Sequence, residues 1–131
     1  TVQGAVRAAQ ATLDAGAVGL NLEDATGDPK KPLFDMNLQV EKVAAMRKAA
    51  DARGVPLVIN ARTDVFMVPG ESLAARLNET IRRGNAYVKA GADCVFVPDM
   101  GDLDRETIKQ LVAEIDAPLN VLAGGKMPPL E

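Results

Sequence analysis

Two stretches of this chain carry the same order of residue types. Ala15-Gly16-Ala17-Val18-Gly19-Leu20-Asn21-Leu22-Glu23-Asp24 and Ala90-Gly91-Ala92-Asp93-Cys94-Val95-Phe96-Val97-Pro98-Asp99 each run from a glycine, through a short apolar segment, to an acid. Glycine supplies the positive φ that closes a helix, and a short apolar run between breakers reads as a buried strand. The chain therefore repeats one βα unit, which restricts it to a parallel sheet with crossover helices. Such folds keep their chemistry at the carboxyl ends of the strands, so Glu23 and Asp24 are expected on a pocket rim.

The remaining pattern agrees. Val2, Ala5, Val6, Ala9 and Leu13 recur at helical steps over Thr1 to Ala15. Ala25 to Met36, with Gly27, Pro29, Lys30, Lys31 and Pro32, reads as a long loop over the first strand end. An alanine-rich helix over Leu38 to Arg53 stops at Gly54 and Pro56. A strand follows from Leu57 to Asn60, continuing to Asp64, and its polar members Asn60, Arg62 and Asp64 share one parity. Val65 to Glu71 is a second loop, containing Pro69 and Gly70; Ser72 to Lys89 is helical, with Gly84 expected to pack closely on a neighbour. After the strand Cys94 to Val97, a turn over Met100 to Asp104 leads to a helix carrying Ile108, Leu111, Val112 and Ile115, with Asp104 as its cap. Leu119 to Leu122 is the last strand, and Ala123 to Glu131 trails off through glycines and prolines. A repeat that opens on its helix half, with no helix after the last strand, reads as part of a larger unit.

Composition narrows the chemistry. The 131 residues include no histidine, which removes imidazole from both acid–base catalysis and metal binding. Carboxylates, lysine, arginine and tyrosine remain, and a metal held by oxygen would be magnesium or manganese. Fifteen Lys and Arg against eighteen Asp and Glu leave no basic excess for nucleic acid. No apolar run reaches the roughly 18 residues of a membrane span, and the single cysteine, Cys94, sits in an apolar strand as a structural thiol. A cytoplasmic location is the expectation.

Arg62 is the most informative side chain. An arginine on a strand is either paired, here with Glu23 or Asp64, or it grips a substrate carboxylate or phosphonate as a bidentate fork. Lys30 and Lys31 are either a solvated loop pair or a cationic lid, and Tyr87 reads as a packing tyrosine rather than a proton donor. Asp99 is either a solvated loop acid or a member of the pocket.

Gly19-Leu20-Asn21-Leu22-Glu23-Asp24, Asn60-Ala61-Arg62-Thr63-Asp64, Gly91-Ala92-Asp93-Cys94-Val95-Phe96-Val97-Pro98 and Pro118-Leu119-Asn120-Val121, in this order and spacing, resemble the isocitrate lyase and phosphoenolpyruvate mutase superfamily. The likeness is nearest to the phosphonomutase-like branch described as carboxyvinyl-carboxyphosphonate phosphorylmutase. It implies an α/β fold, a TIM-type (β/α)8 barrel of the phosphoenolpyruvate/pyruvate-binding kind, with residues 1–131 as one partial barrel domain supplying about strands four to seven. A whole barrel takes about 200 to 250 residues.

The resemblance also implies a magnesium-dependent lyase or phosphonomutase acting on a small 2-oxo acid, dicarboxylate or phosphonate through an enolpyruvate-like oxyanion. Glu23 matches an acid that reaches the metal through water, Arg62 the arginine on substrate oxygen and Asn120 a pocket asparagine. Asp99 stands where lyases of the group often carry a glutamate. The principal metal ligands would lie outside this chain, and the complete protein would be a homo-oligomer. One departure stands out. Where the carbon–carbon lyases carry a cysteine followed by glycine and histidine, this chain reads Ala25-Thr26-Gly27-Asp28-Pro29-Lys30-Lys31-Pro32-Leu33. The competing expectation is a non-catalytic α/β module in which Glu23, Arg62 and Asp64 form only a structural ion cluster; phosphate binding by a related barrel ranks behind both, for want of a glycine-rich loop.

Overall fold

The computed structural model describes residues 1–69, 71–99, 101 and 103–122. Gly70, the start of the expected turn at Met100, and the Ala123 to Glu131 tail lie outside them.

Four strands alternate with four helices: α1 (Val2–Asp14), β1 (Gly19–Glu23), α2 (Met36–Asp51), β2 (Val58–Arg62), α3 (Leu73–Lys89), β3 (Cys94–Val97), α4 (Arg105–Glu114) and β4 (Leu119–Val121). The strands form one parallel sheet in the order β1-β2-β3-β4. Each helix opens on a side-chain cap, from Thr1, Asp35, Ser72 and Asp104, which satisfies an amide of its first turn. Asp35 also explains why α2 begins at Met36 rather than at Leu38: its carboxylate accepts from Asn37 and Leu38. Gly16, at φ 80°, closes α1 as expected of the repeat.

The two faces of the sheet differ. Leu20, Leu22, Ile59, Ala61, Val95, Val97 and Val121 point into two apolar clusters shared with the helices. Burying each large side chain there contributes about 1.5–3 kcal/mol. The other face carries Asn21, Glu23, Val58, Asn60, Arg62, Cys94, Phe96 and Asn120, and no helix of the described residues covers it; Val58 is 46% exposed. A helix layer on one face only, with a polar and open opposite face, is the cross-section of an arc of barrel wall.

Gly84 does pack closely. A Cβ there would meet Ile115 Cδ1 at 3.2 Å, so the glycine lets α3 seat against the end of α4. β2 stops at Arg62, two residues before the expected end, because Asp24 Oδ1 captures the Asp64 amide at 2.8 Å and turns the chain.

Candidate active site at the strand ends

Parallel register puts the site together. Glu23 lies opposite Arg62, Arg62 opposite Phe96, and Phe96 opposite Asn120, so these four residues form one transverse row on the open face. The Arg62 guanidinium is held from three sides. Asp64 Oδ1 accepts from its Nε at 2.9 Å and from its Nη2 at 2.6 Å, Glu23 Oε2 lies 3.4 Å from Nη1, and Phe96 presents its ring 5.6 Å from Cζ. The Asp64 hydrogen bond, with the charges of Asp64, Glu23 and Asp24, outweighs burial and raises the Arg62 pKa further, so the group is a permanent cation. Glu23 is the more accessible member, with a side chain 47% exposed.

Beside Glu23 and Arg62 opens a cavity of about 310 Å³, whose charged lining residues are Glu23, Asp28, Arg62 and Asp64 and whose apolar ones include Pro29, Pro32, Met67 and Val68. Three carboxylates against one guanidinium leave the lining net negative, so a small anion with a carbon body would enter in company with a cation. The loop after β1 forms part of the wall. Ala25 and Leu33 pair as an antiparallel bridge, and Thr26 donates its amide to Pro32 O at 2.8 Å. Lys30 and Lys31 sit at the tip of this loop, both exposed, and neither lines the cavity.

One row below, an amide ladder crosses the sheet. Asn60 Nδ2 donates to Asn21 Oδ1 at 2.8 Å, while Asn120 Nδ2 and the Cys94 thiol both donate to Asn60 Oδ1 at 3.1 Å. Asn120 thus belongs to the open face but spends its amide on Asn60. Burial pushes the Cys94 pKa up, which keeps the thiol a protonated donor. Asp99 caps its own turn, accepting from the amides of Gly101 and Leu103 at 2.8 Å.

Asp24 departs from the expected rim. Strand alternation sends it to the opposite side from Glu23, where it is fully buried. Its Oδ2 accepts from the Tyr87 hydroxyl at 2.8 Å and from Arg83 Nη1 at 3.1 Å. Arg83 Nη1 also donates to Phe34 O at 3.1 Å, and its Nε to Glu79 at 2.7 Å. Burial opposes the Arg83 charge, but Tyr87, Glu79 and Asp24 outweigh it and raise its pKa; burial, then Asp24, raises that of Tyr87. A second buried cation, Lys42, donates to Gln39 Oε1 at 3.1 Å and stacks 3.3 Å over Phe34, while Gln39 Nε2 holds Glu23 O at 3.0 Å. Burial lowers the Lys42 pKa, against the pull of Asp24.

Tyr87 is therefore a packing residue with a specific polar duty, and Arg83, Gln39 and Lys42 are site supports that the periodicity left unmarked. A signal was present for Arg83. It falls with Thr80, Gly84 and Tyr87 on the buried stripe of α3, and a buried arginine demands a buried carboxylate.

The profile of phosphoenolpyruvate phosphomutase matches residues 1–131, the whole chain. The chain belongs to this family. Within the isocitrate lyase and phosphoenolpyruvate mutase superfamily it is 37% identical, over 94 residues, to 2-methylisocitrate lyase of Escherichia coli strain K12, matching 69% of this chain and 30% of that enzyme. It is 34% identical, over 124 residues, to oxaloacetate decarboxylase of Bradyrhizobium diazoefficiens, matching 90% of this chain and 39% of the other. Among solved structures, a protein of Burkholderia cenocepacia J2315 provisionally described as a lyase/mutase superposes with a TM-score of 0.87 at 31% identity, covering 100% of this chain and 45% of its own. The chain thus spans less than half the length of these relatives, and its sheet corresponds to part of their fold.

The members of the family named here act as lyases or decarboxylases on small carboxylates. Oxygen donors suit the hard divalent cation expected of such chemistry. The described residues include no cluster of three or more His, Cys, Asp or Glu that could hold a metal ion. They do supply the Glu23 carboxylate and a buried Asp64 Oδ2 with no hydrogen-bond partner among the described residues. That set fits a minor share of a hydrated magnesium ion's shell, since magnesium keeps several waters and takes one or two carboxylates.

Proposed function

We propose that the complete protein is a magnesium-dependent lyase or phosphonomutase that acts on a small 2-oxo acid, dicarboxylate or phosphonate through an enolpyruvate-like oxyanion. The observation that carries this reading is the Arg62 guanidinium, oriented by Asp64 and Glu23 in the lining of a 310 Å³ cavity. A cation fixed before the substrate arrives needs no reorganisation as negative charge develops, which is usually the largest catalytic contribution.

In this reading Arg62 holds the oxyanion or carboxylate of the substrate. Glu23 holds the water shell of the metal from the neighbouring strand, and the principal metal ligands come from outside this chain. Bound magnesium would supply Lewis-acid stabilisation of the same developing charge. Pro29, Pro32, Met67 and Val68 exclude water from the carbon body of the substrate. Lys30 and Lys31 add a diffuse positive field at the loop tip, and Asn120, in the same row as Arg62, keeps the second N–H of its amide beyond the one given to Asn60. The loop offers no cysteine or histidine as general acid, so cleavage of an isocitrate-type substrate by that route is disfavoured and a substrate needing only oxyanion stabilisation is preferred.

The second reading, a purely structural ion cluster, draws on the fact that Arg62 Nε and Nη2 are already engaged by Asp64. Oxalate, a planar mimic of enolpyruvate, separates the two. Its melting temperature gain in the full-length protein should require magnesium and shrink sharply in R62A. A gain that ignores magnesium, or no gain, removes the enzymatic reading.

A further inference from the structure

The site described above rests on a buried polar cluster that ordinary stability does not require. Asp24, Arg83 and Tyr87 take a carboxylate, a guanidinium and a phenol out of water, and well-packed apolar residues of the same volume are often as stable or more so. What the cluster does supply is fixed geometry at two places. Asp24 Oδ1 takes the Asp64 amide at 2.8 Å, and Asp64 in turn holds Arg62 with two hydrogen bonds. Asp24 also receives the Phe34 amide on its backbone oxygen at 2.8 Å, while Arg83 Nη1 takes Phe34 O at 3.1 Å, so both polar groups of Phe34 are held where the loop over the cavity returns to the body.

We propose that Arg83 and Tyr87 are positioning residues of the site, acting through Asp24 on the Asp64 turn that aims Arg62 and on the root of the 25–34 loop. Neither touches the cavity. Tyr87 and Arg83 share Asp24 Oδ2, and leave Oδ1 free to face the Asp64 amide. Arg83 and Tyr87 also donate and accept between themselves at 3.0 Å, closing a three-membered ring of hydrogen bonds that fixes the carboxylate plane. Removal of one donor lets that plane rotate, and the error propagates to Arg62 through two short links. The effect on ligand affinity rests on the enzymatic reading of Arg62; the effect on Arg62 itself does not.

The test uses the full-length protein and the conservative variant Y87F, which removes one hydroxyl from a packed ring. Two readouts are taken: the hydrogen-exchange rate of the Arg62 Nε–H by NMR without ligand, with R62K for assignment, and the affinity for oxalate with magnesium in wild type, Y87F, R62A and the double variant. The expected result is Nε–H exchange at least tenfold faster in Y87F and oxalate affinity about tenfold weaker, with no further loss when Y87F is added to R62A. Faster exchange in a protein that never binds oxalate upholds the positioning role and removes the enzymatic reading. Exchange at the wild-type rate in Y87F overturns the proposal, as does an affinity loss that is the same with and without Arg62. Should Y87F fail to fold, R83K, which keeps the charge beside Asp24, is read by the same two measurements.

Discussion

The Tyr87 hydroxyl donates to Asp24 Oδ2 over 2.8 Å, joining the last turn of α3 to the residue that follows β1 across 63 residues of sequence. Arg83, one turn earlier on α3, completes the pair as a buried ion bridge at 3.1 Å. Breaking such a bridge from one side leaves an uncompensated charge in the interior and costs about 3–5 kcal/mol. D24A should therefore lose roughly that much in urea unfolding of the full-length protein, and D24A/R83M should recover part of it, because the second change removes the stranded cation. A double variant less stable than D24A would show that Arg83 finds adequate partners in Glu79 and Phe34 O without Asp24.

Arg62 is the residue whose loss should be felt in chemistry rather than in folding. Its side chain is 27% exposed, and R62A would open Asp64 to the water of the cavity that both line. In the complete protein R62A should lower turnover at least a hundredfold, on the order of 3 kcal/mol, with a change in melting temperature of only a few degrees. R62K should recover little, since a lysine offers no planar fork to share between Asp64 and a substrate. Near-normal turnover in either variant would remove Arg62 from the oxyanion site.

Lys30 and Lys31 make a weaker claim, because both are exposed and stand outside the cavity lining. If the loop tip attracts the anionic substrate, K30A/K31A should raise KM roughly tenfold, about 1.4 kcal/mol, and the rise should shrink as salt is added. A KM unchanged at low ionic strength would return the two lysines to an ordinary solvated loop.

How far the residues declared all this varies with the range of the interaction. The βα repeat, the cap at Asp104 and the shared parity of Asn60 and Arg62 follow from short-range periodicity and turn chemistry, so the order of elements is legible directly. The expected pairing of Arg62 with Glu23 or Asp64 rests on residue type, and the register of β1 on β2 makes Glu23 its neighbour. Asp24 leaves its expected place on the rim because two adjacent acids look alike in a sequence, whereas a strand sends them to opposite sides. The supports on α2 and α3 were hidden for another reason. Gln39, Lys42 and Tyr87 meet Glu23, Phe34 and Asp24 only through packing of helices on the sheet, which no local pattern encodes, and the stripe on α3 marks Arg83 as buried without naming Asp24 as its partner.

Gly84 offers a test of that packing. Alanine is worth about 1 kcal/mol more than glycine within a helix, yet a Cβ at this position would stand 3.2 Å from Ile115 Cδ1. Ile115 is buried among Leu77, Leu111 and Val97 and has little room to yield. G84A should therefore destabilise the wild type by about 1–3 kcal/mol. I115V removes the offending methyl, so G84A should cost at least about 0.5 kcal/mol less in that background. Strictly additive effects in denaturant unfolding would mean that the helices shift apart instead.

The acid side of the stability profile should carry the mark of Glu79. Burial alone would raise its carboxyl, but hydrogen bonds from Arg82 and Arg83, together with their charges, outweigh burial and bring its pKa below the ordinary 4.5. A carboxylate with a depressed folded pKa is bound less tightly to its proton in the native state, so the unfolded chain gains protons first as pH falls. The stabilisation is fully present above about pH 4.5 and is lost as pH drops through the lower, folded value. E79Q keeps the shape of the side chain without the titration. The melting temperature gap between wild type and E79Q should be constant from pH 7 to pH 5 and close progressively below about 4.5. A gap that does not narrow at all on acidification would assign the contribution of Glu79 to packing and neutral hydrogen bonding, and would leave Arg83 dependent on Asp24 alone for its compensating charge.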